Sequence, residues 1–173
     1  MTLSVAIGGA KGTFADRVGA EVARILDHTF GAEGEWEGVA ARRFGELTPD
    51  VLAELLRRAV VELGADALPN LSALVGPGTA AFLPAHVQAV TLPLSDGGPL
   101  RCASLPGLRD ELAALAERWE LPLDDAALLD LLRVAEDPVD GPVSEPPEVL
   151  TFARLALAAN EAVRRDCPLW LLG

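Results

Sequence analysis

The chain is poor in the residues from which metal sites, disulfide frameworks and base-stacking surfaces are built. Its 173 residues include two cysteines, two histidines, no tyrosine and a single lysine. Cys102 and Cys167 are too few for a disulfide framework, and free thiols are typical of a reducing compartment. The scattered histidines and cysteines do not provide the ligands of a zinc site. Without clustered aromatic and basic residues, we also expect no platform for stacking nucleic-acid bases.

Long apolar runs are missing as well, and we do not expect residues 1–7 to form a leader sequence. No segment approaches the roughly 20 apolar residues that a transmembrane helix requires. Residues 1–7 lack the basic start and the long apolar core of a secretory signal. Half of the residues are hydrophobic, which is too many for a disordered chain. The sequence therefore predicts a soluble, cytoplasmic protein that forms a single globular domain over residues 1–173.

Positive charge is scarce relative to negative charge. There are 26 acidic residues against 14 basic ones, which gives a formal net charge of −12. This balance has the wrong sign for a general nucleic-acid binder. Between Glu117 and Glu148, ten acidic residues are accompanied only by Arg118 and Arg133. The excess predicts an acidic surface on the second half of the chain.

Apolar spacing indicates that helices and short strands alternate along the chain. Helices are predicted over 13–28, 49–63, 106–120, 124–135 and 148–165. The last of these is apolar almost all round, so we expect it to be packed on more than one side.

Short apolar runs predict strands, and turn residues separate them. The strands are predicted at 3–7, 73–75, 87–92, 100–103 and 169–172. The turn at Ser95–Pro99 indicates an antiparallel hairpin. We predict an α+β fold in which about five helices cover a small mixed sheet, with a helical C-terminal half and neighbouring terminal strands. Residues 31–47 are predicted to be a loop with at most a short strand near Trp36.

A glycine loop between the first strand and the first helix could hold a phosphate. Its residues are Gly8, Gly9, Lys11, Gly12 and Thr13. In such loops, glycines let backbone N–H groups approach an anion and a lysine reaches the phosphate. The spacing matches neither the P-loop nor the dinucleotide-binding fingerprint. A phosphate-bearing ligand, and with it an enzymatic role, is therefore the second hypothesis, and a tight turn with a solvated lysine is its plain alternative.

The acidic surface supports the first hypothesis, which is a non-enzymatic interaction or regulatory domain. Immunity proteins and inhibitors of basic nucleases attract their partners by negative charge. The residues expected to contact a basic protein partner are Asp124, Asp125, Asp137, Asp140 and Glu145, with Trp36 as an exposed apolar anchor. The plain alternative is a solvated surface in which Asp124 and Asp125 cap a helix. Apolar faces of the C-terminal helices would also allow a homo-oligomer.

Three further features have structural explanations of their own. Cys102 and His86 would form a nucleophile–base pair if they met in space, but a thiol in an apolar strand is usually inert. His28 suits the C-terminal end of a helix. The glycine–proline turn over residues 75–80 would shape the rim of a pocket or serve only as a turn. With no paired acid and base, catalytic triad or metal motif, we expect no metal and no cofactor.

Overall fold

Six β-strands form one mixed sheet in this computed structural model, which describes residues 2–31, 35–95, 98–136 and 145–173. The strands are β1 (Leu3–Ile7), β2 (Arg42–Leu47), β3 (Thr79–Leu83), β4 (Val90–Leu92), β5 (Leu100–Ser104) and β6 (Leu169–Leu172). Their order across the sheet is β2-β1-β6-β3-β5-β4. The β3–β5 pair is parallel and the other pairs are antiparallel. The sheet is therefore mixed, as predicted.

Seven α-helices lie within the described ranges of the chain. They are α1 (Ala10–Thr13), α2 (Asp16–Phe30), α3 (Pro49–Leu63), α4 (Pro69–Ser72), α5 (Leu105–Trp119), α6 (Asp125–Glu136) and α7 (Pro147–Arg164). Two short 3₁₀ turns cover Glu35–Gly38 and Ala65–Ala67. The α+β class and the helical C-terminal half are confirmed.

Two predicted pairings between strands are also confirmed. The terminal strands are neighbours, because β1 and β6 pair antiparallel from Ser4–Leu172 to Ile7–Leu169. The hairpin forms between β4 and β5, although β4 is shorter than predicted. The long helix α7 contacts α3, α5 and α6 as well as β1, β2 and β6, so its apolar residues are packed on several sides.

Two strand predictions are wrong, and the first predicted helix begins later than expected. Residues 73–75 form no strand, because β3 begins only at Thr79, beyond the turn that contains Gly76 and Gly78. No strand forms at Trp36, and β2 occupies 42–47, where a mostly exposed edge strand lacks the apolar run that marks a buried one. The helix predicted over 13–28 begins only at Asp16, as α2, because Phe14 is extended (φ −103°, ψ 165°). Its ring packs edge-on against Trp170 with centroids 5.1 Å apart.

The centre of the sheet is covered on both faces. Every residue of β3 is buried, and successive side chains of a strand point to opposite faces. Trp170 on β6 is fully buried, and its indole N–H donates to the carbonyl of Gly8 at 2.8 Å. Trp119 is half-buried and packs against Phe152 of α7. Trp170 therefore belongs to the hydrophobic core, and Trp119 packs against it.

A buried carboxylate joins α4 to α5. Glu111 is 7% exposed, and its two oxygens accept hydrogen bonds from the backbone N–H groups of Asn70 (2.9 Å) and Leu71 (2.6 Å). The Asn70 amide also donates to Glu111 at 2.7 Å and accepts from the Ser104 N–H at 2.9 Å. Glu111 thus satisfies the first N–H groups of α4, which have no partner within that helix.

Replacing Glu111 by alanine is expected to lower the free energy of unfolding by about 3 kcal/mol. The variant leaves buried N–H groups without the charged acceptor that they have in the native protein. Urea unfolding followed by circular dichroism measures the change. Asp110→Ala removes the same charge from the exposed neighbouring position and should stay within about 0.5 kcal/mol of wild type. Equal losses in the two variants would contradict this role of Glu111.

Candidate functional site

The glycine loop that was predicted to hold a phosphate already holds a carboxylate of the protein. The backbone N–H groups of Ala10 and Lys11 donate to the two carboxylate oxygens of Glu37, each at 3.0 Å. The N–H of Gly9 donates to the carbonyl of Val39 at 3.0 Å. Because Glu37 lies in the 3₁₀ turn at Glu35–Gly38, an internal anion occupies the place where the sequence suggested an external one.

The glycines of this loop allow the 3₁₀ turn to approach it. A Cβ atom on Gly9 would lie 2.7 Å from the Cα of Glu37. One on Gly8, whose φ is +122°, would lie 2.8 Å from the Cα of Ala41. The hydroxyl of Thr13 donates to the carbonyl of Gly9 at 2.8 Å. These contacts account for Gly8 and Gly9 as packing residues. Lys11 is exposed, and a Cβ atom on Gly12 would meet only Ala41, at ordinary distances of 3.5 Å from its Cβ and 3.6 Å from its backbone N.

Trp36 is not the exposed anchor that the sequence suggested. It is 8% exposed and belongs to the hydrophobic core cluster. The glycine-rich composition around it indicated an open loop. Instead, the 3₁₀ turn is held against the glycine loop through Glu37, and Trp36 is buried with it.

The two acidic residues at the start of α6 have structural partners. Asp124 is exposed, and its Oδ1 accepts a hydrogen bond from the Ala127 N–H at 3.0 Å, so it caps the helix. Asp125 accepts from the amide of Asn160 at 2.9 Å and forms an ion pair with Arg164. α7 thus already places a cation and an amide beside Asp125, the residue that was predicted to contact a basic partner.

The environment of Asp125 favours its charged form. Partial burial raises the pKa of this carboxyl, but the hydrogen bonds from Arg164 and Asn160 and the charge of Arg164 outweigh it and lower the pKa below its ordinary value. On the same face of α7, Glu161 forms ion pairs with Arg164, with Arg165 at 2.7 Å and with Arg42 at 3.6 Å. Charges of both signs therefore neutralise one another on this surface.

A cleft of about 370 Å³ opens beside these ion pairs, between β2, α6 and α7. Its apolar lining includes Leu129, which is 58% exposed. The charged residues around it are four arginines and two carboxylates, namely Arg42, Arg43, Arg154, Arg164, Asp125 and Glu161. The surroundings of Asp125 are thus mixed in charge rather than uniformly acidic.

The remaining acidic candidates are not brought together by the described structure. Asp137 and Asp140 lie outside the described residues. Glu145 is half-buried before the start of α7 and is engaged in an interaction of its own.

Three other exposed acidic residues lie on the chain where α5 ends and α6 begins. We call Glu117, Glu120 and Asp124 the acidic corner. All three side chains are exposed, and none forms an ion pair with another described residue. Glu120 adopts the left-handed conformation (φ +56°) at the C-cap of α5, and the Leu121 N–H donates to the carbonyl of Ala116 at 2.9 Å.

Glycine or asparagine usually occupies the left-handed position at a helix end. Sequence reasoning did not single out Glu120. The signal was present, however, because the predicted helix 106–120 ends on this glutamate.

The proposed pair of Cys102 and His86 is not formed. Cys102 is fully buried on β5, and burial raises the pKa of its thiol to about 12, which disfavours a reactive thiolate. His86 is exposed and makes no hydrogen bond to Cys102. His28 is exposed in the last turn of α2, as predicted.

Known proteins give no guide to this site. No protein-family model matches the chain, and neither a curated protein nor a solved structure is significantly similar to it. Within the described ranges, no three His, Cys, Asp or Glu residues are grouped as metal ligands. None of the helices in that part of the chain has the length and apolar character needed to cross a bilayer.

Replacing Glu37 by alanine is expected to destabilise the protein by about 1–2 kcal/mol, because two N–H groups lose a charged acceptor. Acetate at 100 mM should then raise the melting temperature of Glu37→Ala more than that of wild type, since the freed N–H groups can bind it. Thermal unfolding with and without acetate measures both effects. Glu46→Ala, at an exposed position of β2, serves as the control. If acetate acts equally on all three proteins, Glu37 does not occupy an anion site.

The ion pair of Asp125 should make stability depend on acid pH. Its pKa is lower in the folded state than the value of about 3.9 in an unfolded chain. The contribution is therefore complete above about pH 4 and is lost as the pH falls through the folded-state pKa. Because the pair is partly exposed, we expect less than about 1 kcal/mol. Urea unfolding of wild type and Asp125→Asn between pH 6 and 3 tests this. If the free energies of unfolding of the two proteins differ by the same amount at every pH, the prediction is wrong.

Proposed function

We propose that the chain is a protein-interaction domain that binds a basic partner through the acidic corner of Glu117, Glu120 and Asp124. The proposal rests on the exposure, the missing cationic partner and the backbone conformation of Glu120. This residue is exposed, has no cationic partner in the described part of the chain, and adopts a left-handed backbone conformation that disfavours glutamate.

Local electrostatics at the end of α5 are unfavourable for two residues of the acidic corner, Glu117 and Glu120. The C-terminal end of a helix carries partial negative charge, and carboxylates there are disfavoured by a few tenths of a kcal/mol or more. Glu117 lies in the last turn of α5, and Glu120 follows it as the C-cap. A basic side chain supplied by a partner would compensate both carboxylates and the last carbonyl groups of α5.

The overall charge supports a macromolecular partner of opposite sign. With a net charge of −12, the chain attracts basic proteins over long distances and repels anionic competitors. All three side chains of the acidic corner are exposed, which suits a lysine- or arginine-rich segment. The two free, buried cysteines support a reducing compartment, and we propose the cytoplasm.

The second hypothesis, a phosphate-bearing ligand at Gly8–Thr13, has less support. Two of the N–H groups that would bind the phosphate already donate to Glu37. A ligand would have to displace this carboxylate and the turn that carries it.

The test compares two residues that share one backbone conformation. Asp166 is also left-handed (φ +50°), and the Cys167 N–H donates to the carbonyl of Ala162 just as the Leu121 N–H does to Ala116. Glu120→Gly and Asp166→Gly each remove one negative charge and one unfavourable φ. Both should gain about 1 kcal/mol, which corresponds to about 2–4 °C in melting temperature.

Only Glu120→Gly is expected to weaken binding of a lysine-rich peptide, by about two- to fivefold at 20 mM NaCl. Fluorescence anisotropy at 20 and 200 mM NaCl measures the affinity, and adding Glu117→Gln should weaken it further. Equal losses in Glu120→Gly and Asp166→Gly would indicate that net charge, not the acidic corner, attracts the peptide. Unchanged binding in Glu120→Gly would refute the proposed surface.

A further inference from the structure

Arg101 on β5 is a half-buried cation that no described carboxylate neutralises. Its Nη1 donates to the carbonyl of Pro77 at 3.0 Å, and its buried Nε–H has no hydrogen-bond partner. Burial lowers the pKa of the guanidinium, because water is removed from the charge and no anion replaces it.

The glycine–proline turn before β3 is shaped around this guanidinium. Gly76 has a φ of +145°, and a Cβ atom on it would lie 2.3 Å from Nη1 of Arg101. Gly76 thus leaves room for the guanidinium, and the next residue, Pro77, offers it a carbonyl. The turn that the sequence suggested as a pocket rim therefore holds an arginine in place.

Arg101 lines a cleft of about 320 Å³ between α4 and the β4 edge of the sheet. Its lining residues are Pro69, Ser72, Ala73, Ala89, Val90, Thr91, Arg101 and Cys102, and no acidic residue is among them. Thr91 is exposed, pairs with Arg101 across the strands, and its hydroxyl makes no hydrogen bond within the described structure. The hydroxyl of Ser72 already donates to the carbonyl of Leu68 at 2.7 Å.

We propose that this Arg101 cleft binds the carboxylate or phosphate group of a small molecule. Arg101 is the charged contact, and the hydroxyl of Thr91 is a second donor. Guanidinium groups form paired hydrogen bonds with both kinds of oxyanion. The volume lies at the lower end of the range for small-ligand pockets.

The walls of the cleft set the size and character of the ligand. Pro69, Ala73 and Val90 are small and apolar, so they suit a short apolar body attached to the oxyanion. The cleft near Asp125 is a weaker candidate, because Asp125 and Glu161 already form ion pairs with two of its arginines, Arg42 and Arg164. This inference does not depend on the proposed function, since it concerns another surface and another class of ligand.

NMR titration of the ¹⁵N-labelled full chain tests the site directly. The probes are sodium acetate, benzoate and inorganic phosphate, each at constant ionic strength. We expect saturable shifts of the Arg101 Nε–H and of the Ala73 and Thr91 amides. Tighter binding of benzoate than of acetate would assign an organic carboxylate, whereas saturation by phosphate alone would assign a phosphate group.

Arg101→Gln should weaken binding about 10- to 100-fold, which corresponds to the loss of hydrogen bonds to a charged group. Arg17→Gln removes the same charge from an exposed position of α2 and should leave affinity unchanged. If Arg101→Gln fails to fold, the wild-type shift map decides. Shifts that do not saturate, shifts centred elsewhere, or equal affinity in the folded Arg101→Gln variant would overturn the proposal and leave Arg101 as a clamp for the turn.

Discussion

The position of the last strand determines the arrangement of the rest of the molecule. β6 lies between β1 and β3, so the last strand of the chain joins the N-terminal strands of the sheet to the middle ones. The segment around β6 also holds the glycine loop. The Gly8 N–H donates to the carbonyl of Pro168 at 3.0 Å, and the Trp170 indole N–H donates to the carbonyl of Gly8. Much of the sheet therefore depends on contacts between residues that are far apart in sequence.

The use of charge differs from one part of the molecule to another. Glu37 and Glu111 accept hydrogen bonds from backbone N–H groups, and Glu161 forms ion pairs with three arginines. Glu120 and Arg101, in contrast, have no opposite charge beside them in the described structure. A partner gains the most binding free energy where it neutralises a charge, or relieves a strained conformation, that the protein itself leaves uncompensated. Both proposals rest on this criterion, and they concern opposite signs of charge on separate surfaces.

Sequence periodicity was sufficient for most of the helices, because their apolar stripes repeat locally. Periodicity did not identify β2 and β3, because the sequence of each resembles another kind of segment. β3 follows a Gly-Pro-Gly turn and reads as its continuation, while β2 is an exposed edge strand that contains arginines and a glycine with φ +115°. The burial of Trp36 was missed for a similar reason. Its glycine-rich surroundings describe the local backbone, whereas its burial depends on a contact between Glu37 and a loop about 27 residues away.

The sequence by itself determined the α+β class, the helical second half, the net charge and the scarcity of metal-binding residues, because these follow from composition and local spacing. Only the tertiary structure decided which charges are neutralised. Asp125 meets Arg164 across 39 residues, Glu37 meets the glycine loop, and Arg101 meets no carboxylate in the described structure. Ion pairing depends on distances of a few ångströms between side chains from different elements, and one-dimensional spacing does not specify them.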